Sequence, residues 1–214
     1  MVVGVVADAI ALQMLAEQDM LCDVAELRAD CLSAAQLDEA LHIPLRRARL
    51  LTLRHEDEGG AVSMPEDQRR SLALRLLPAV DALDWEIAKL PGAEDLVAAA
   101  KAAGVCVVAS AHYFEHTPPL EEMLGLARRA KEAGADIVKI AFTPRSQEDV
   151  QVGADFLQRC DMPAAVMGMG SLGVESRKLY TRLGSALLYG YLGDRPAVSG
   201  QMSAGQCREL VDGD

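Results

Sequence analysis

The stretch Ala135-Asp136-Ile137-Val138-Lys139-Ile140-Ala141-Phe142, followed by Ser146 and a Gln147-Glu148-Asp149 run, decides the fold. Its first half is the short, nearly continuous apolar run of a strand buried on both faces of a parallel sheet. Its second half places a helix-capping serine ahead of a stretch, 146–159, with apolar residues at i, i+3 and i+4. The two halves make one strand–helix unit. Further apolar runs stand at 2–7, 22–28, 48–54, 81–87, 104–110, 163–169 and 185–190. Amphipathic stretches follow them at about 9–20, 33–41, 65–78, 93–103, 118–133, 171–183 and 203–212. Ser33 and Thr117 read as helix starts, and Gly134 and Gly184 as helix ends. Eight such units in 214 residues predict an α/β protein, a (β/α)8 TIM barrel forming a single domain over 1–214. A doubly wound open sheet is the competing architecture. It usually carries a glycine-rich loop after its first strand, where this chain has Ala7-Asp8-Ala9.

Composition narrows the function. Half of the residues are hydrophobic but only 4% are aromatic, so the core is mostly Ala, Leu and Val. The formal net charge of -11 and the lack of a basic stripe argue against a nucleic-acid partner. An anionic substrate therefore requires a local cluster of arginines. No apolar run reaches membrane-spanning length, and no signal pattern opens the chain, so a cytoplasmic protein without a membrane partner is expected. The five cysteines form no CxxC pair and read as core residues in a reducing compartment.

Lys139 is the residue that does not fit its surroundings. Lysine is rarely buried without a partner, and a desolvated ammonium drifts toward the neutral amine that attacks carbonyl carbon. In a barrel, the strand ends that carry active sites would bring other polar groups to the same mouth. Glu26 and Arg28 end strand 2, and Arg54 ends strand 3 ahead of His55-Glu56-Asp57-Glu58-Gly59-Gly60. Ser110 and His112 end strand 5, Arg177 follows a glycine-rich turn after strand 7, and Ser199-Gly200-Gln201 follows strand 8. Asp84 and Glu86, in strand 4, read as partners of neighbouring arginines. An amine, a histidine, a carboxylate to orient it and several arginines suit a small anionic carbonyl compound. No HExxH, paired HxH or acidic cluster suggests a metal.

Several segments, in order, carry a family resemblance: Glu26-Leu-Arg28-Ala-Asp30, Thr52-Leu-Arg54 through Glu58-Gly59-Gly60, Asp84-Trp-Glu86 and Ser110-Ala-His112. They continue with Val138-Lys139-Ile140, Met167-Gly168 through Ser176-Arg177, and Gly200-Gln201. On these the chain resembles type I 3-dehydroquinate dehydratase. The resemblance implies a homodimer without cofactor or metal that dehydrates 3-dehydroquinate through a lysine Schiff base, as part of aromatic amino-acid biosynthesis. It assigns Lys139 as the Schiff-base residue, His112 as general acid–base and Glu58 as its orienting carboxylate. Arg177 takes the substrate carboxylate, Glu26, Arg28 and Arg54 contact ring hydroxyls, and Gln201 with Ser199 closes a lid at about 191–204. Two departures stand out. The lid carries Ala197 and Ser199 where the family usually has a hydroxyl residue and a proline, and Tyr113 replaces an aspartate that often follows the histidine. A sugar-phosphate aldolase of the same Schiff-base type, with Gly168 and Gly170 in a phosphate nest, and a non-catalytic ligand-binding relative are the alternatives.

Overall fold

The computed structural model describes residues 1–17, 19–44, 46–194, 196 and 199–213. Strands and helices alternate throughout. In chain order they are β1 (Val2–Val6), α1 (Ala9–Glu17), β2 (Val24–Arg28), α2 (Ala34–His42), β3 (Ala48–Thr52), α3 (Glu66–Leu76), β4 (Ala82–Glu86) and α4 (Glu94–Ala102). They continue with β5 (Cys106–Tyr113), α5 (Leu120–Glu132), β6 (Ile137–Phe142), α6 (Gln147–Arg159), β7 (Ala164–Gly168), α7 (Gly173–Arg182), β8 (Leu188–Tyr191) and α8 (Ala204–Asp212). The strands pair in parallel in the order β7-β6-β5-β4-β3-β2-β1-β8, a nearly closed (β/α)8 barrel. The remaining seam lies between β7 and β8. There Ala186 N–H donates to Ala164 O (2.8 Å) and Val166 N–H to the Ser185 hydroxyl (3.0 Å).

Side chains alternate along each strand and build two cores. Leu51, Leu83, Trp85, Val107, Ala109, Val138, Ile140 and Phe142 face the helix layer and pack against it. Their neighbours turn inward. At the N-terminal end of the barrel the interior is apolar, with Val3, Val24, Leu50, Val108 and Leu187. Toward the C-terminal end the inward positions become Glu26, Thr52, Asp84, Glu86, Ser110 and Lys139, all buried. The reversal from apolar to charged along the same strands sets the floor of the site.

Local signals place most boundaries. Ser33 caps α2 in a capping box with Gln36, and the Ser146 hydroxyl accepts from Asp149 N–H ahead of α6. Gly134 and Gly184 end helices with φ of 89° each. Several boundaries differ from expectation, three of them for a clear local reason. Thr117 is not a helix start: α5 begins at Leu120 behind Pro119, because each residue preceding a proline is held extended. β5 runs past 110 to Tyr113, since β6 offers it partners as far as Phe142. β8 begins at Leu188, later than the apolar run at 185–190, because Ser185 and Ala186 serve the seam.

Gly153 of α6 faces Tyr180 of α7 and Phe142 of β6, and an added Cβ would collide with the Tyr180 hydroxyl and come within 2.9 Å of the Phe142 ring. Gly153→Ala should therefore lower stability by ~1–3 kcal/mol through overpacking, outweighing the ~1 kcal/mol that alanine gains in helix propensity. Urea unfolding checks it; an unchanged or raised midpoint means this helix interface has slack.

Candidate active site

The C-terminal mouth of the barrel holds a cavity of about 400 Å³, within the range that holds small molecules. Eight of the candidate residues line it. They are Lys139 from β6, His112 from β5, Glu26 and Arg28 from β2, Arg54, Glu58, Arg177 from α7, and Gln201. Ser199 does not. Its side chain is exposed, and its carbonyl accepts Gly170 N–H at 2.8 Å. Ala197 lies outside the described residues. Among the described residues no group of three or more His, Cys, Asp or Glu side chains could hold a metal ion.

Lys139 sits on the cavity floor, 4% exposed. Its Nζ donates to Asp84 Oδ2 at 2.9 Å, lies 3.6 Å from Glu26 Oε1 and stands 4.1 Å from the centre of the Tyr189 ring. Two carboxylates and an aromatic face surround its head group. Asp84 is the hub. Its Oδ1 accepts from Arg54 (2.8 Å) and from the Ser110 hydroxyl (2.6 Å). Burial works against its charge, yet the Arg54 and Lys139 charges hold its carboxyl well below the usual range. Thr52 donates to Glu26 at 2.9 Å and so fixes the second carboxylate.

His112 Nδ1 and Glu58 Oε2 are 2.8 Å apart, which leaves Nε2 as the nitrogen open to a bound molecule. Burial, then the Arg54 and Lys139 charges, push the imidazole well below its ordinary value, so its ring is neutral near pH 7. Burial, reinforced by Glu86 and Asp84 and opposed by Arg54, raises Glu58 to about 7. A neutral imidazole beside a carboxylate poised near neutrality is a proton-transfer couple.

The arginines divide. Arg54 donates to Asp84, Glu86 and Ser110 and is a strut of the floor, the ion-pair role more usual for strand-end arginines. Arg28 is bidentate to Asp30, at 2.9 and 2.6 Å. Arg177 is different. It donates to the carbonyls of Gly168 (3.1 Å) and Tyr189 (2.8 Å), and among the described residues it is the one buried base with no carboxylate partner. Burial lowers it to about 10, so it remains charged near neutrality and faces the cavity. It is a ready site for an anion.

Two residues escaped sequence reading as parts of the lysine's surroundings. Asp84 was legible only as a partner of a neighbouring arginine, and its bond to Lys139 spans 55 positions. Tyr189 carried no signal, because its ring reaches Lys139 only when β8 and β6 face each other across the barrel. Met167 and Met169 also line the cavity as apolar wall.

A (β/α)8 barrel whose mouth gathers a lysine, a histidine–carboxylate couple and an unpaired arginine defines a class of barrel enzyme for small anionic molecules. The chain belongs to the Type I 3-dehydroquinase family, whose sequence profile matches residues 2–212. It is 31% identical over 189 residues to the 3-dehydroquinate dehydratase of Methanocella arvoryzae, covering 87% of this chain and 85% of that one. The crystal structure of 3-dehydroquinate dehydratase from Geobacillus kaustophilus superposes with a TM-score of 0.87 at 28% identity, over 99% of this chain and 89% of that one. The type I enzyme of Clostridium difficile, solved with covalently modified comenic acid, gives a TM-score of 0.87 at 25% identity, over 99% and 90%.

The Glu58 shift has a stability consequence. Its folded value, about 7, lies above the ordinary 4.5, so the folded state holds this proton more tightly. The resulting stabilisation is complete below 4.5 and is lost as pH rises through about 7. Glu58→Gln escapes that loss. The variant should gain stability relative to the parent between about pH 5 and pH 8. Urea unfolding at both values measures it; a difference (variant minus parent) that stays constant or shifts in the parent's favour at the higher pH shows that Glu58 ionises freely.

Proposed function

We propose that this chain catalyses the reversible dehydration of 3-dehydroquinate to 3-dehydroshikimate through an imine on Lys139. Family membership makes it a hydro-lyase of the shikimate pathway. The observation that carries the residue assignment is Arg177: a buried cation without a carboxylate, in the same cavity as Lys139 and the His112–Glu58 couple. A carboxylate substrate supplies the missing partner.

In this mechanism the Lys139 ammonium gives up a proton, and its amine attacks the C3 ketone. Loss of water from the adduct leaves an iminium. The positive charge returns to Nζ, where Asp84, Glu26 and the Tyr189 ring already await it, without reorganisation at the moment of reaction. The iminium acidifies C2–H. His112 Nε2 takes that proton and the carbanion delocalises into an enamine. His112 then returns the proton to the departing C1 hydroxyl, and hydrolysis frees product and amine. Glu58 holds the ring and stabilises the transient imidazolium. Glu26, Arg28 and Arg54 border the substrate's hydroxyl side. Gln201, on the cavity wall, is placed to close over the substrate; of the lid at about 191–204, residues 195, 197 and 198 lie outside the described residues.

The aldolase alternative loses support at the glycine-rich turn. Met169 N–H already donates to Phe142 O and Gly170 N–H to Ser199 O, both at 2.8 Å, so neither is available to a phosphate. A homodimer and a cytoplasmic location belong to the same proposal. No disulfide joins the five cysteines, and among the described residues no helix is long and apolar enough to cross a membrane.

Borohydride with 3-dehydroquinate should inactivate the protein by adding one ligand to Lys139, mapped by peptide mass; labelling at Lys89, Lys101, Lys131 or Lys178 would overturn the assignment. His112→Ala should lose ~10²–10⁴ in kcat yet still form the imine. Arg177→Ala should raise KM by roughly 10- to 100-fold, the worth of a hydrogen bond to a charged group. Steady-state kinetics decide both, and an unchanged KM in the second places the carboxylate elsewhere.

A further inference from the structure

We propose that His55 is a positioning residue for the Glu58–His112 couple, its ring nitrogen capping the short turn that presents Glu58. The inference deepens the function above and rests on the reading that Glu58 orients His112. Glu58 is carried on a single 3-10 turn, Glu56–Glu58, between Arg54 and Gly59. So short a turn has little intrinsic stability and depends on its ends. His55 holds its first end in three ways. Its backbone is extended, with φ -70° and ψ 145°, and its Nδ1 accepts Asp57 N–H at 3.1 Å. Its carbonyl accepts from Glu58 N–H and Gly60 N–H, both at 3.0 Å, and its own N–H donates to the buried Glu86 at 2.9 Å. Gly59 closes the other end with φ 84°. From this frame Glu58 reaches His112 at 2.8 Å.

Helix caps are usually Ser, Thr, Asp or Asn, whose oxygens accept in the neutral pH range. An imidazole nitrogen accepts only when it carries no proton. Once protonated, Nδ1 becomes a donor, and the Asp57 carboxylate 3.2 Å away is its nearest acceptor. Asp57 N–H then loses its partner and the turn loses its cap. The neighbouring charged groups already have partners. Asp57 is shared with Lys89 at 3.1 Å, Glu86 is engaged by Arg54 and Arg69, and Glu56 accepts from Ser63. The cap therefore makes the presentation of Glu58 sensitive to acid, independently of the protonation of His112 itself.

The test compares wild type, His55→Ala and His55→Asn with 3-dehydroquinate between about pH 5 and pH 9, together with NMR titration of the wild-type Asp57 amide. His55→Ala should lower kcat about tenfold, with KM within about twofold and borohydride trapping at Lys139 retained. His55→Asn, whose side-chain oxygen accepts at every pH in that range, should restore kcat to within about twofold and carry activity to lower pH than wild type. The Asp57 amide resonance should titrate with the His55 ring. The proposal fails if His55→Ala keeps full kcat, if the acid limbs of wild type and His55→Asn coincide, or if the Asp57 amide ignores the His55 ring. Should His55→Ala not fold, the Asn variant and the titration decide alone. A wild type that traps and turns over no 3-dehydroquinate overturns the dehydratase reading, and the amide titration still judges the cap.

Discussion

The carboxylate of Asp84 ties the barrel together at the level of its active-site floor. One oxygen binds Arg54 and Ser110 and the other binds Lys139, so strands β4, β5 and β6 and the segment after β3 meet at one buried group. The network continues through Arg54 to Glu86 and from Glu86 to Arg69, whose guanidinium lies 3.6 Å from the centre of the Trp85 ring. Within this network three buried acids, Glu26, Asp84 and Glu86, face three buried bases, Arg54, Arg69 and Lys139. Such charges are costly to desolvate, and removing one member of a buried pair typically costs ~3–5 kcal/mol because its partner is stranded. The network thus adds little net stability but strongly penalises any shift of strand register. The position of Lys139 is specified by the same contacts that hold the floor together.

Above this floor the balance is left incomplete. Arg177 is buried without a carboxylate, and Glu58 is held at about 7 by burial among other acids. Both conditions are costly to the folded protein, and in the proposed mechanism the substrate carboxylate relieves the first. Among the described residues the floor has charge matched to charge, whereas Arg177 in the wall has no carboxylate. That contrast separates the structural arginines, Arg54 and Arg69, from the one whose planar fork faces the cavity.

Much of this was legible in the chain. Strand–helix alternation fixes the barrel because each apolar run is too short for anything but a buried strand and each amphipathic stretch has one face to cover. Strand parity then places Glu26, Lys139 and His112 on the inside. Boundaries were less secure where a neighbour decides them. β5 reaches Tyr113 because β6 is there to pair with it, and α5 waits for Leu120 because two prolines hold the backbone extended. Ser199 also has a main-chain role that its side chain did not signal: its carbonyl accepts from Gly170 N–H.

By itself, then, the sequence determined the fold class, the inward residues and the family, because periodicity and motif order are local properties that survive without contacts. Only the tertiary structure decided what each charged group is paired with. It turned Arg54 into a strut and left Arg177 unpaired. It put Asp84 and Tyr189 against Lys139 and made His55 the cap of the Glu58 turn. Pairing depends on distances of a few ångströms between residues far apart in the chain, and in a closed barrel those distances are set by strand register and curvature, which no single segment encodes.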